Sequence, residues 1–575
     1  MTYNKIDAGL LVALKHYQTE GRAGLTRHIR SLGIIFSEHS PKPARVVVFI
    51  HCDEQAQLDH LSQYGVRVNQ SSGNIRTAFL PLDSLESVSD DPVVKRIIAS
   101  RYLLPLMDVA SPRVHIPTFR NNTGLNGSGV IIGVVDTGIY SNHPAFTGRI
   151  LRIWDQIIPG PGVNEGGYGF ELVGNQLTVS RDQNGHGTHV AGIAAGAGLP
   201  FEGIAPKAEL VVVKTDFDSA HIADAIWYIF RIAKDLGRSA VVNLSLGGHY
   251  DAHDGSDSLS QVIDKASGPG RIVCCAAGNE GDKNIHAQIA VRQGQEGFIR
   301  FQVPADSFYS TWINGWYSGD DQIEVAVQSP SGFQTPYQGI ISDSDNNPAN
   351  AYMLADGEVS IVTPGPKDNR DHNFLIDISR KFAPITGGTW QVRWRGVSIN
   401  RGLVDVWAGS VDGLGVIFTS NVEHNLKIGS PGASASAVTA ASYTTKVKWT
   451  DIDDNPQEVG SSLDNISDFS SDGPLRNGVH KPDIAAPGEM IISCLSADST
   501  PDRGEMINQQ YRIWRGTSMA TPFMSGIVAL LLQRDPTLDP EGVKALLRAN
   551  SLIPGQPPGT FDSKWGFGLI DALGI

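Results

Sequence analysis

The chain has 575 residues, a net charge of −14, and 41% apolar against 18% charged residues. That length exceeds one ordinary core and predicts two to four domains. The acidic balance, with no basic stripe interleaved with aromatics, excludes a protein that coats nucleic acid. No apolar run is long enough for a membrane helix, and the short run Ala8 to Leu14 is followed by no cleavage-site pattern. The expectation is a cytoplasmic protein with neither a membrane nor a nucleic-acid partner, secretion by another route being left open. Four cysteines without a C-x-x-C spacing predict neither a disulfide framework nor a zinc site.

Residues 1–40 read as a helical leader with a mixed-charge face. From Arg45 the pattern is a strand to His51, an amphipathic helix over Asp53 to Tyr64, and short strands at Val66 to Val68 and Ile75 to Leu80. A helix over Leu82 to Ser89 and a strand over Val93 to Ser100 follow. This β-α-β-β-α-β order predicts a ferredoxin-like α+β module over 41–107. Pro105, Pro112 and Pro117 mark residues 102–124 as linker.

The run Gly129 to Val135 is continuously apolar, as a parallel strand buried on both faces would be, and it ends in Asp136-Thr-Gly138. Strand and helix patterns then alternate. Strands are predicted at Glu209 to Lys214, Ala240 to Leu246 and Arg271 to Ala277, and helices at His221 to Leu236 and Ser256 to Ala266. Residues 125–284 therefore read as a doubly wound, mostly parallel α/β sheet. The rhythm breaks over 285–425, where short alternating runs such as Asn373 to Ile378 and Thr389 to Trp394 predict an inserted β-sandwich or jelly roll. The α/β pattern resumes over 426–575. There Arg515-Gly-Thr-Ser518-Met-Ala-Thr-Pro522 reads as a glycine turn delivering a serine to the head of a buried helix, with Pro522 in its first turn. A closing helix is predicted from Pro540 to Ala549.

Three groups spread through this pattern suit nucleophilic acyl transfer. Ser518 needs a base to take its proton, His186 can serve near neutral pH, and Asp136 can fix the imidazole tautomer. Asn279 and the Ser518 backbone N–H can donate to an oxyanion. His186 and His189 as a metal pair is the weaker reading, because no third ligand accompanies them.

The motifs Val134-Val-Asp-Thr-Gly138, His186-Gly-Thr-His189-Val-Ala-Gly192, Ser245-Leu-Gly-Gly248, Ala276-Ala-Gly-Asn279 and Gly516-Thr-Ser-Met-Ala-Thr-Pro522 closely resemble the subtilisin-like serine proteases. The resemblance implies a subtilisin-like fold and a serine endopeptidase acting on a protein or peptide. It implies catalytic roles for Asp136, His186 and Ser518 and an oxyanion role for Asn279. It makes Ser245, Leu246, Gly247, Gly248, Ala276, Ala277 and Gly278 the edges of the specificity pocket. Residues 41–107 resemble the family's propeptide, which implies a folding chaperone and intramolecular inhibitor, with a processing site in 108–124 and Leu103 to Met107 in the cleft. No cofactor is required. Calcium is the one metal the resemblance allows for, and Gly192 to Pro206 lacks its usual loop. The insert's position is similar in layout to the clostridial spore-germination subtilases. Two other readings compete with the endopeptidase: a blocked core that binds partners through the insert, and a peptide ligase or cyclase using the same triad.

Overall fold

The computed structural model describes residues 43–68, 75–99, 110–198, 200–305, 310–340, 350–363, 369–380, 384–410 and 415–575, with scattered residues before 43. Most of the predicted helical leader, and Leu103 to Met107, lie outside the described residues. The chain divides into two compact units, 1–105 and 106–575.

In the first unit, strands Arg67–Val68, Ile75–Pro81, Arg45–His51 and Arg96–Ala99 lie in that spatial order, every neighbouring pair antiparallel. A two-residue strand, Ile34–Ile35, also pairs with the start of Arg45–His51. The predicted helix over Asp53 to Tyr64 is not an α-helix; only Asp59–Tyr64 is helical, as a 3-10 turn ended by Gly65 at φ 75. The physical reason is spacing. Leu58, Leu61 and Tyr64 recur every three residues, the period of a 3-10 helix, and Leu58 and Leu61 are buried.

The second unit is built on one ten-stranded sheet. Its strands in chain order are β1 (Ile131–Asp136), β2 (Ile150–Asp155), β3 (Phe170–Leu172), β4 (Glu209–Lys214), β5 (Ala240–Leu244), β6 (Arg271–Ala276), β7 (Val438–Thr444), β8 (Ile484–Glu489), β9 (Ser551–Leu552) and β10 (Leu569–Ile570). Their spatial order is β9-β10-β8-β7-β6-β5-β1-β4-β2-β3. Only the β2–β3 and β9–β10 pairs are antiparallel. The chain winds to one side of β1 through β4 and β2, then returns to lay β5 to β8 on the other. The carboxyl ends of β1 and β5 therefore flank a topological switch point, where ligands of such sheets bind.

All six residues of β1 are buried. The period of two divides them between layers: Ile132 and Val134 pack with helices α1 (His186–Ala195) and α4 (Thr517–Arg534), and Ile131 and Val135 with α2 (Ser219–Asp235) and α3 (Ser258–Ala266). Helix α5 (Pro540–Ala549) has its predicted bounds.

Residues 110–123 do not form the expected linker. They make two short helices, Ala110–Arg113 and Ile116–Thr123, and Ala110, Val114, Ile116 and Phe119 join the core beneath α1 and α4. Pro117 stands in a first helical turn, where its missing N–H costs nothing, so it marks a helix start.

Between β6 and β7 the chain makes two antiparallel sheets of six and four strands. Ile299, Phe301, Ile313, Ile376, Trp390 and Val406 fill one shared core. The strand His372–Ser379 alternates buried and half-buried along its whole length, as its sequence pattern requires. A smaller apolar cluster joins this insert to the sheet domain through Trp316 and Trp407 against Ala252 and Leu426.

Candidate active site

Asp136 is the last residue of β1 and is fully buried. Its Oδ1 accepts from the Thr137 N–H and lies 2.7 Å from Nδ1 of His186. His186 opens α1, which the chain enters through Gly185 at φ 89, a left-handed conformation that glycine adopts freely. Gly187 lets α1 abut the turn after β1, since a Cβ there would stand 2.2 Å from the Gly138 carbonyl oxygen.

Asp182, not singled out from the sequence, ties these two ends together. One carboxylate oxygen accepts from Thr137 Oγ1 and the Gly185 N–H, each at 2.8 Å. The other accepts from the N–H and Oγ1 of Thr188 at 2.9 and 2.6 Å. An aspartate just ahead of a helix start is a capping signal, and that signal could have found it. Burial works against the His186 imidazolium, but the charge and hydrogen bond of Asp136, with Asp182 behind, outweigh it. The imidazole titrates above its ordinary 6.5. His189 has another role. Its Nε2 lies 3.1 Å from the Ile491 carbonyl and 3.3 Å from that of Arg512, and burial pushes it down to about 3. It is a neutral donor between two carbonyls rather than half of a metal pair.

Helix α4 begins at Thr517, so Ser518 is its second residue and Pro522 its sixth. Pro522 is therefore inside the helix rather than in the expected first-turn position. Its ring supplies no N–H for the Ser518 carbonyl. That carbonyl accepts instead from Ser245 Oγ at 2.9 Å, and Ser518 Oγ donates to the Ser245 carbonyl at 3.2 Å. Asn243 donates to Ser245 Oγ and accepts from Ser525 Oγ, both at 2.9 Å, which fastens α4 to β5.

The two halves of the constellation are thus fixed to neighbouring strands. Val134 of β1 pairs with Asn243 of β5, and Asp136 and Ser245 each follow two residues beyond that pair. His186 is bonded to the end of one strand and Ser518 to the end of the other.

Asn279, three residues beyond β6, accepts at Oδ1 from the Thr517 N–H at 2.9 Å and from Thr517 Oγ1 at 3.1 Å. Two donors fix that oxygen, which leaves the NH₂ group for the cavity that Asn279 lines. The cavity holds about 210 Å³. Ser245, Leu246, Gly247, Gly248, Ala276, Ala277 and Gly278 all line it together with Ser518. His249 and Glu280 line it too. A second cavity of about 520 Å³ shares the edge Leu246 to Gly248 and is lined also by Phe217, Tyr250 and Leu259. Trp514 sets its ring T-shaped to His186, 5.4 Å between ring centres, and the Arg512 guanidinium lies 3.7 Å over the centre of the Trp514 ring. His249, Tyr250 and Trp514 carry no local sequence signal that separates them from ordinary surface residues.

Set beside known proteins, residues 127–310 and 385–568 match the family model described as the subtilase family. Serine protease AprX of Bacillus subtilis (strain 168) is 26% identical over 473 residues, 79% of this chain and 69% of the relative. The PIII-type proteinase of Lactococcus lactis subsp. cremoris (strain SK11) is 25% identical over 540 residues, and there the match spans 82% of this chain but only 25% of the relative. The solved structure of the Clostridium perfringens CspB protease superposes with a TM-score of 0.65 and 25% identity, covering 80% of this chain and 95% of that one.

Proposed function

The chain belongs to the subtilase family of serine proteases, and from that premise we propose that it hydrolyses peptide bonds with Ser518 as nucleophile, His186 as base and then acid, and Asp136 as the group that orients His186. The observation that carries this is the Asp136–His186 bond, standing one strand away from the Ser518–Ser245 pair.

In this mechanism Ser518 Oγ leaves the Ser245 carbonyl and gives its proton to Nε2 of His186 as it attacks the substrate carbonyl. Asp136 stabilises the imidazolium that forms. The Asn279 NH₂ and the Ser518 N–H donate to the oxyanion. His186 then protonates the leaving amine, and water releases the acyl group by the same steps in reverse. The edge Leu246 to Gly248 pairs with an extended substrate as an added strand. The fluorophosphonate test is direct: wild type labels at Ser518 and cuts a peptide library, and Ser518→Ala does neither. Cutting that survives in Ser518→Ala overturns the assignment.

We further propose that residues 41–107 act as a propeptide-like chaperone and inhibitor, and that the insert is a jelly-roll-like sandwich. The antiparallel strand order of the first unit and the shared core of the two inserted sheets support these readings. Intact mass of wild type beside Ser518→Ala tests self-processing: a shorter wild-type chain is expected, and identical masses reject it.

A further inference from the structure

The polar end of the specificity cavity is an ion pair backed by the insert. His249 Nε2 lies 3.4 Å from Glu280 Oε2, and both side chains line the cavity that holds Ser518. On its other side, His249 Nδ1 is 2.9 Å from Nε2 of His253, the rings stacked within 9°. His253 is fully buried and lies flat on Trp407 of the insert, 3.9 Å between ring centres.

Hydrogen-bond accounting assigns the protons. His253 Nδ1 faces the Asp251 carbonyl at 3.3 Å. A carbonyl only accepts, so Nδ1 carries the hydrogen. Burial and the neighbouring His249 and His286 push His253 well below its ordinary range, so it stays neutral and its Nε2 accepts. His249 then donates from Nδ1, and its Nε2 stands at ion-pair distance, 3.4 Å, from Glu280 Oε2, which also accepts from the Asn279 N–H at 2.7 Å and from Ser471 Oγ at 3.3 Å. A bare Nε2 lone pair would be repelled by that carboxylate, so the cationic ring is the form this placement favours. Burial alone would raise Glu280, but the bond and charge of His249, with Lys283 and the Asn279 N–H, hold its carboxyl down at about 2. The cavity therefore ends in a carboxylate flanked by the His249 ring at 3.4 Å and, on the solvent side, by Lys283 at 4.0 Å. The insert steadies this arrangement a second way, since Asn314 Nδ2 donates to the carbonyls of His249 and Asp251 at 3.1 and 3.0 Å.

We propose that His249 is a specificity-determining residue: it masks Glu280, so that the cavity selects an uncharged side chain beside the scissile bond and rejects a basic one. Glu280 alone would invite lysine or arginine. With the imidazolium in place, a cationic side chain would lose its hydration and gain no unmatched carboxylate. This rests on Ser518 being the nucleophile.

The test measures kcat/KM, per fluorophosphonate-titrated site, on peptides that differ only beside the scissile bond (Gln, Leu, Lys, Glu). Wild type should prefer Gln to Lys by about tenfold or more, the worth of one uncompensated charge at short range. His249→Asn should raise the Lys/Gln ratio by about tenfold, mainly through KM, and His249→Asn with Glu280→Gln should bring it back to the wild-type value. Glu280→Gln alone keeps the imidazolium and should raise Glu over Gln, a result readable even if His249→Asn does not fold. Labelled wild type that prefers Lys, or an unmoved ratio in both single variants, overturns the proposal and leaves the protease reading standing. An enzyme that neither labels nor cuts any peptide overturns both.

Discussion

The carbonyl of Ser518 and the hydroxyl of Ser245 meet at 2.9 Å because Pro522 withholds the helical N–H that the carbonyl would otherwise receive. A proline four residues after Ser518 thus turns the Ser518 carbonyl toward the chain just beyond the neighbouring strand. Ser245→Ala would leave the part-buried Ser518 carbonyl without that donor, at a cost of about 1 kcal/mol. Thermal melts should show the loss. Pro522→Ala restores an N–H, so the double variant should recover part of it. Melting temperatures that add without coupling would detach Pro522 from Ser245.

The pH dependence follows from His186. Its folded-state pKa is raised, burial opposing the shift and the Asp136 charge and hydrogen bond exceeding it. A base must be neutral to work, so activity should rise with pH through a value above 6.5, the ordinary value. The ion pair's contribution to stability runs the other way: it is full below the unfolded pKa and disappears as pH rises through the folded one. Asp136→Asn should move the acid limb of the rate profile down and lower kcat by about 10⁴. An acid limb that stays put would show that Asp136 does not set the base.

Gly187 tests the close approach of α1 to the β1 turn. Alanine would put a Cβ 2.2 Å from the Gly138 carbonyl oxygen. Gly187→Ala should destabilise the protein by about 1–3 kcal/mol and slow fluorophosphonate labelling, because the two ends that hold His186 are pushed apart. Unchanged melting and labelling would mean the turn yields easily.

Asn314→Ala removes the donor to the His249 and Asp251 carbonyls. Peptide kinetics should show a raised KM and a moved Lys/Gln ratio, while Ser518 still labels. Trp407→Phe keeps an aromatic face for His253 and should alter the ratio less than Trp407→Ala. A KM unaffected by Asn314→Ala would confine the insert to stability.

Much of the fold is legible because it is written locally. The buried run ending at Asp136, the alternation of His372–Ser379 and the bounds of α5 follow from the periods of strand and helix. The motif residues of the candidate site are legible for a related reason. Glycines at Gly185 and Gly516 announce the turns that expose His186 and Ser518, with φ of 89 and 147. Prolines mislead where a helix start and a loop look alike, as over 110–123, and a three-residue period mislead where α and 3-10 helices share apolar spacing, as over Leu58 to Tyr64.

What the sequence by itself determined, then, is the set of elements and the chemistry carried at their ends, since both depend on neighbours a few positions away. The tertiary structure alone decided which ends stand together. Ser245 and Ser518 are 273 positions apart and His253 and Trp407 belong to different domains of the chain, yet each pair is in contact. Their partnership depends on strand order and on the docking of the insert, and a pattern of local periods carries no information about either.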